Sequence, residues 1–362
     1  MTWKNNIIVE LLTHLRSWNL HMDKRKFYIT KSQLVDKPKK LGRHIVILGA
    51  GASVAAFPSG DANGKRLPTM DNFIEMLGLE PVLERAGVKN IYRNFETVYG
   101  ELYDNDPESP VLKEIEEIVY AYFDSLRLPS CPTLYDHLLM ALRPKDIVAT
   151  FNWDPFLFDA WNRNKDKVTL PDIVHLHGNV RVAYCQEHPA YGEHGMYCPE
   201  CGEKLVPTRL LYPVTIKNYG NDTFIKTEWE VLRRGLPHAM TLTIFGYGAP
   251  HTDKEAVDLM KSAWDKENRF IERVEIIDIK NKDILWEQWD PFIVRTYLDH
   301  EQDYYESRIS RYPRRSCEAL FNQTVLGQPV ENNPLPRDAD FESLFSWFEP
   351  FIKAECTLDE SE

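Results

Sequence analysis

His44-Ile45-Val46-Ile47-Leu48-Gly49-Ala50-Gly51-Ala52-Ser53 decides how the rest of this chain is read. An apolar run leads straight into two closely spaced glycines. A run of this length reads as a buried strand, and a glycine turn at its end is the usual entrance of a dinucleotide site in α/β proteins. Gly49 allows a tight turn. Gly51 lets backbone approach a pyrophosphate, and the helix start that follows supplies N–H donors and positive dipole. Val54 stands where a third glycine would complete G-x-G-x-x-G, so this is not the dehydrogenase fingerprint.

Outward from that stretch, further apolar runs read as buried strands: Asp146–Phe151, Asp172–Leu176, Met240–Phe245 and Val274–Ile279. Helical patterns lie between several of them. The alternation predicts an α/β fold, a Rossmann-like, mostly parallel sheet with helices on both faces. Residues 69–143 read as helices. Val111, Leu112, Ile115, Ile118, Val119, Tyr122, Phe123 and Leu126 form one apolar stripe, and Thr133 is placed to cap the next helix. Phe57 to Gly64 reads as a mobile loop. Ile7, Ile8, Leu11, Leu12, Leu15 and Trp18 fall at helical spacing near the N-terminus, with a basic connector from Lys24 to Lys40. Past residue 284 the chain is aromatic-rich, through Trp286, Trp289, Phe292, Tyr297, Tyr304 and Tyr305. A linker over Gly327–Asp338 and an amphipathic helix over Phe341–Ile352 follow.

Composition bounds the function. The 362 residues are 43% hydrophobic, ample for a core, and carry a net charge of −12 without a basic block. That balance argues against a general nucleic-acid surface or an anionic-membrane surface. No apolar run reaches membrane-spanning length, and no secretory leader is evident. The expected location is therefore cytoplasmic. The six cysteines then read as metal ligands or reduced thiols rather than disulfides.

In parallel sheets, ligands sit at the carboxyl ends of the strands. Thr150-Phe151-Asn152-Trp153-Asp154 places an amide and a carboxylate, Asn152 and Asp154, at one such end. His175-Leu176-His177-Gly178 places two histidines at another, either of them a candidate base near neutral pH. Phe245-Gly246-Tyr247-Gly248-Ala249-Pro250-His251-Thr252-Asp253 carries a second glycine turn after a strand. Asp278 follows the last strand, where a carboxylate can take ribose hydroxyls. Cys185-x2-His188 and Cys198-x2-Cys201 have the paired spacing of a small zinc ribbon. Four protein ligands close a structural site, and His194 is the alternative to His188.

Taken in order, these pieces resemble the sirtuin family: strand, Gly-Ala-Gly-Ala-Ser, Asn-x-Asp, His-Gly, a cysteine-rich insert, a second glycine turn and a ribose-binding strand end. The resemblance covers about residues 44–281. It implies NAD as ligand and a structural zinc. It assigns Asn152, Asp154 and His177 to the catalytic pocket. Gly49, Ala50, Gly51, Ser53, Asn152, Asp154, Gly246, Tyr247 and Asp278 fall to the cofactor. It also divides the chain into an N-terminal helical extension (1–40), an NAD-binding catalytic domain (41–283) and a C-terminal helical tail (284–362). A helical insert at about 66–143 and a zinc ribbon at about 184–206 interrupt the catalytic domain.

Deacetylases of the family carry a Pro-Asp-Phe-Arg-like element where Pro58-Ser59-Gly60-Asp61 stands here. They also carry a Phe-Gly-Glu segment, which Tyr212-Pro213-Val214-Thr215-Ile216-Lys217 lacks. The pattern therefore looks more like the bacterial sirtuin-like NAD hydrolases of anti-phage defence. That implies hydrolysis of NAD to nicotinamide and ADP-ribose, under the control of a homo-oligomer or a partner protein. The rival expectations are an NAD-dependent deacylase and a catalytically idle NAD or ADP-ribose sensor.

Overall fold

The computed structural model describes residues 28–214, 219, 222–249, 253–269, 271–294 and 297–359. The helix expected over Ile7–Trp18 lies outside them. In chain order come α1 (Lys31–Asp36), β1 (Arg43–Leu48), α2 (Ala50–Ala56) and the insert helices α3 (Phe73–Leu77), α4 (Glu80–Arg85), α5 (Phe95–Asn105), α6 (Pro110–Asp124) and α7 (Leu134–Met140). Next are β2 (Ile147–Thr150), α8 (Phe156–Asn164), β3 (Asp172–His175) and three short strands, β4 (Val182–Tyr184), β5 (Tyr191–Glu193) and β6 (Val206–Pro207). The chain continues through α9 (Thr223–Gly235), β7 (Ala239–Phe245), α10 (Lys254–Trp264), β8 (Arg273–Ile277), α11 (Lys282–Trp289) and β9 (Leu298–Glu301). It ends with α12 (Arg308–Arg311), α13 (Ser316–Thr324) and α14 (Phe341–Asp359).

The main sheet runs β3-β2-β1-β7-β8-β9, and every pairing in it is parallel. With the three short strands set aside, this is the doubly wound order 3-2-1-4-5-6, which reverses direction between β1 and β7. Successive side chains on a strand face opposite ways. Ile45 and Ile47 therefore enter one core with Leu242, Ile244, Val274 and Ile276, under α9, α10 and α11. Val46 and Leu48 enter the other, with the insert helices and α14. The expected α/β sheet with helices on both faces is what the chain forms.

Two expectations change. The sheet takes its sixth strand, β9, from the segment read as tail, so the sheet does not end at residue 283. Three aromatics of that segment are core: Trp289 and Phe292 pack beside β8, and Tyr304 lies across the sheet, whereas Tyr297 is exposed. The loop after Phe57 is pinned rather than loose. Asp61 is buried and its carboxylate accepts the N–H groups of Asn63, Lys65 and Arg127.

The terminal helix is latched from beneath. Glu355 on α14 accepts from Arg314 and Arg315, both fully buried. The Arg314 guanidinium also reaches the carbonyls of Leu142 and Thr169, and Arg315 reaches those of Leu34 and Val35. One charge cluster thus ties α14, α1, the end of α7 and the approach to β3.

Candidate active site

The C-terminal tips of β1 and β7 meet backbone to backbone. The N–H of Gly49 donates to the Phe245 carbonyl at 3.0 Å, and that of Gly51 to the Gly246 carbonyl at 2.9 Å. A Cβ on Gly49 would lie 2.5 Å from the Cα of Tyr247. Gly246 has φ +59, and a Cβ there would lie 2.2 Å from the Ala52 nitrogen. These glycines are needed so that the two turns can touch. The switch point, where such folds open a ligand crevice, lies at this contact.

Asn152 follows β2 and is half-buried. Its Nδ2 donates to the Gly49 carbonyl and to Ser53 Oγ, each at 2.9 Å. Both amide hydrogens are thereby engaged, and the group Asn152 can present to a ligand is the acceptor Oδ1. Ser53 Oγ donates to Asp154 Oδ2 at 2.6 Å and lies 2.6 Å from the Tyr135 hydroxyl. The other oxygen of Asp154 accepts the Phe156 N–H at the start of α8, at 3.2 Å. Asp154 is 4% exposed. Burial pushes its carboxyl up to about 6, against the pull of the Ser53 hydrogen bond. Burial, then the charge of Asp154, holds the Tyr135 phenol well above its ordinary value, so Tyr135 is a neutral donor to this network.

His177 follows β3. The αL turn at Gly178, φ +77, sets its direction, and no side chain fits there because a Cβ would lie 2.0 Å from the Arg209 carbonyl. The Asn179 side chain donates to the Asp154 carbonyl at 2.7 Å and stitches the His-Gly turn to the Asn-x-Asp turn. The imidazole packs edge-on against Phe151, which in turn stacks on Tyr247 with centroids 4.1 Å apart. His177 Nε2 lies 3.1 Å from the Tyr219 hydroxyl and 3.7 Å from Asp253 Oδ1. Tyr247 donates to the other oxygen of Asp253 at 2.9 Å.

His175 points elsewhere. It is 3% exposed, lies beside Phe158, and neither ring nitrogen has a partner among the described residues. Burial lowers its imidazole to about 3, so it stays neutral. Asp278 sits at the end of β8, half-buried, and accepts the Lys280 N–H at 2.9 Å. The structure thus gathers Ser53, Asn152, Asp154 and His177 around the two glycine turns and sets Asp278 at the next strand end. Tyr135 and Tyr219 join them without any sequence signal, across 82 and 42 positions, and Asp253 joins from the end of the second glycine-turn segment without having been singled out there.

In the small three-stranded sheet, Cys185, His188, Cys198 and Cys201 bring their ligand atoms within 4.8 Å of one another. Cys185 Sγ is 3.6 Å from His188 Nδ1 and 3.7 Å from Cys201 Sγ, and Cys198 Sγ is 3.8 Å from His188 Nδ1. The edges of a tetrahedron around zinc with thiolate and imidazole ligands measure roughly 3.5–3.8 Å. The set therefore fits a closed structural zinc, and His188, not His194, completes it. Glu200 lies 3.8 Å from the other nitrogen of His188, where an outer carboxylate orients a ligating imidazole.

Fold and site together define a doubly wound α/β protein with a metal-binding module and a cluster of polar side chains at its switch point. No family model matches the chain, and no curated protein does. Among solved structures, a complex of a Sir2 homolog with NAD is similar at 15% identity, over 85% of this chain and 95% of that one, with a TM-score of 0.37. A mutant Sir2 homologue with ADP-ribose is similar at 13% identity, over 84% and 98%, with a TM-score of 0.37. A structure described as the basis for the mechanism and regulation of Sir2 enzymes is similar at 13% identity, over 81% and 92%, also at 0.37.

Proposed function

We propose that this protein is an NAD+ glycohydrolase that cleaves the nicotinamide–ribose bond, and that it serves as an NAD-depleting effector of bacterial anti-phage defence. The observation that carries the reading is the joining of the Asn152–Asp154 turn to the His177 turn, beside the Gly49–Ser53 bend, at the switch point of the sheet. The order of the motifs along the chain, which resembles the sirtuins, supports NAD as the dinucleotide. The missing Phe-Gly-Glu segment favours water over an acyl-lysine as the acceptor.

In this reading the C1′–N bond of the nicotinamide riboside breaks through an oxocarbenium-like transition state, and nicotinamide leaves with the electron pair. Water forms the new C1′–O bond and gives its proton to His177. Asn152 holds that water, or a ribose hydroxyl, through Oδ1. Asp154 fixes Asn152 through Ser53, because both of its own oxygens are engaged. The Tyr219 hydroxyl marks the place on Nε2 that a ribose hydroxyl or water takes over. Ala50 and Asp278, both half-buried, lie where pyrophosphate and ribose would pass.

The test is release of nicotinamide from NAD by the purified full chain, with and without an acetyl-lysine peptide. Release that needs no peptide and leaves ADP-ribose is expected. Release that depends on the peptide would replace hydrolysis with deacylation. NAD binding with no turnover, in the protein or on overexpression in cells, would replace it with sensing.

A further inference from the structure

Asp253 occupies the N-cap position of α10, yet makes no side-chain cap bond to that helix. An aspartate there ordinarily accepts an N–H of the first turn. Here the carboxylate turns the other way, into the core. It is 3% exposed, accepts from the Tyr247 hydroxyl at 2.9 Å and stands 3.7 Å from His177 Nε2. Tyr247 is itself fixed by its stack on Phe151, and Phe151 forms the wall against which the imidazole packs. A carboxylate taken out of water is costly unless an opposite charge or strong donors face it. Among the described residues, the His177 imidazole, which can acquire a positive charge, stands within ion-pair range of it.

We infer that Asp253 is a positioning residue: the buried counter-charge that orients His177 and favours its protonated form. The inference rests on the hydrolase reading for its kinetic consequence but not for the pairing itself. When water attacks C1′ and nicotinamide departs with the bonding pair, the water proton passes to His177. The imidazolium so formed is stabilised by Asp253, which stays ionised throughout. The positive end of the α10 dipole favours that ionised state. Among the described residues, Asp253 at the start of α10 and Tyr219 before α9 face the imidazole, Tyr247 past the end of β7 bonds to Asp253, and Glu255 lies further along α10. Burial, the largest cause for each, holds both tyrosines above their ordinary value. The Asp253 carboxylate stands within ion-pair range of the imidazole.

The test combines titration and kinetics. His177 is followed by side-chain NMR in the wild type and in Asp253→Asn, and its titration midpoint is expected to fall by about one unit in the variant. Asp253→Asn is expected to lower kcat for NAD hydrolysis by roughly 30-fold with KM changed less than about 3-fold, and to cause no further loss in a His177→Ala background. Tyr247→Phe keeps the charge but frees the carboxylate, and is expected to lower kcat by roughly 5-fold, which keeps the test open should Asp253→Asn fail to fold. Equal midpoints, or losses that add in the double variant, would overturn the inference. A shifted midpoint in a protein that never cleaves NAD would leave the pair standing and remove the hydrolase reading instead.

Discussion

The histidines of the His-Leu-His-Gly stretch show how neighbours two residues apart diverge. His177 meets Tyr219 and Asp253, whereas the buried ring of His175 has no hydrogen-bond partner among the described residues, so one can exchange protons and the other is held neutral. Burial lowers His175 from 6.5 to about 3. Below pH 6.5 the unfolded chain takes up a proton that the folded one refuses, so this residue's contribution to stability is full above that pH and is lost as pH falls. His175→Leu is therefore expected to gain on the wild type by roughly 1 kcal/mol per pH unit between about 6 and 4, measured by urea unfolding. A difference independent of pH would contradict it. The sequence placed both histidines at a strand end, and the choice of His177 came from the family resemblance rather than from the residues, because the physical difference depends on what α8, α9 and α10 bring from elsewhere. Tyr135 and Asp253 were illegible for the same reason. Nothing near Tyr135 in the sequence marks its hydroxyl as the partner of Ser53, 82 positions away.

Elements were legible in proportion to how apolar they are. β1, β2, β7 and β8 are buried on both faces and read as apolar runs. β9 is an edge strand, Leu298-Asp299-His300-Glu301, with three polar residues in four, and carries no such signal. The loop after Phe57 reads as mobile from its Gly, Pro and Asp content, but the Asp61 carboxylate is what organises it. The zinc module was legible as spacing, since paired ligands three apart need little more than a turn between them, but the fourth ligand was settled only by geometry. One zinc per chain is expected by elemental analysis. It is expected to be lost in His188→Ala and retained in His194→Ala. Removing it with a chelator should loosen β4–β6 while the main sheet holds, as seen by hydrogen exchange. Loss of zinc in His194→Ala, or a wild type without zinc, would contradict the assignment.

At the scale of the whole molecule, a long insert, a metal module and a tail are hung on a doubly wound sheet without disturbing its switch point. The tail is integral to the fold. It supplies β9, buries Trp289, Phe292 and Tyr304, and closes through Glu355 on Arg314 and Arg315. No described helix is long and apolar enough to cross a membrane. The sheet order was implicit in the alternation of strands and helices, whereas its exact length and the latch were not, since β9 carries no apolar signal and the latch joins Arg314 and Arg315 to residues as far away as Leu142 and Leu34. In the proposed reaction the polar cluster at the tips of β1, β2, β3 and β7 acts on NAD through Asn152 and His177. The most direct measurement is nicotinamide release by wild type, Asn152→Ala and His177→Ala, each checked for an unchanged melting transition. Release by the wild type that falls by more than roughly 100-fold in both variants is expected. Undiminished release in either folded variant would contradict the account.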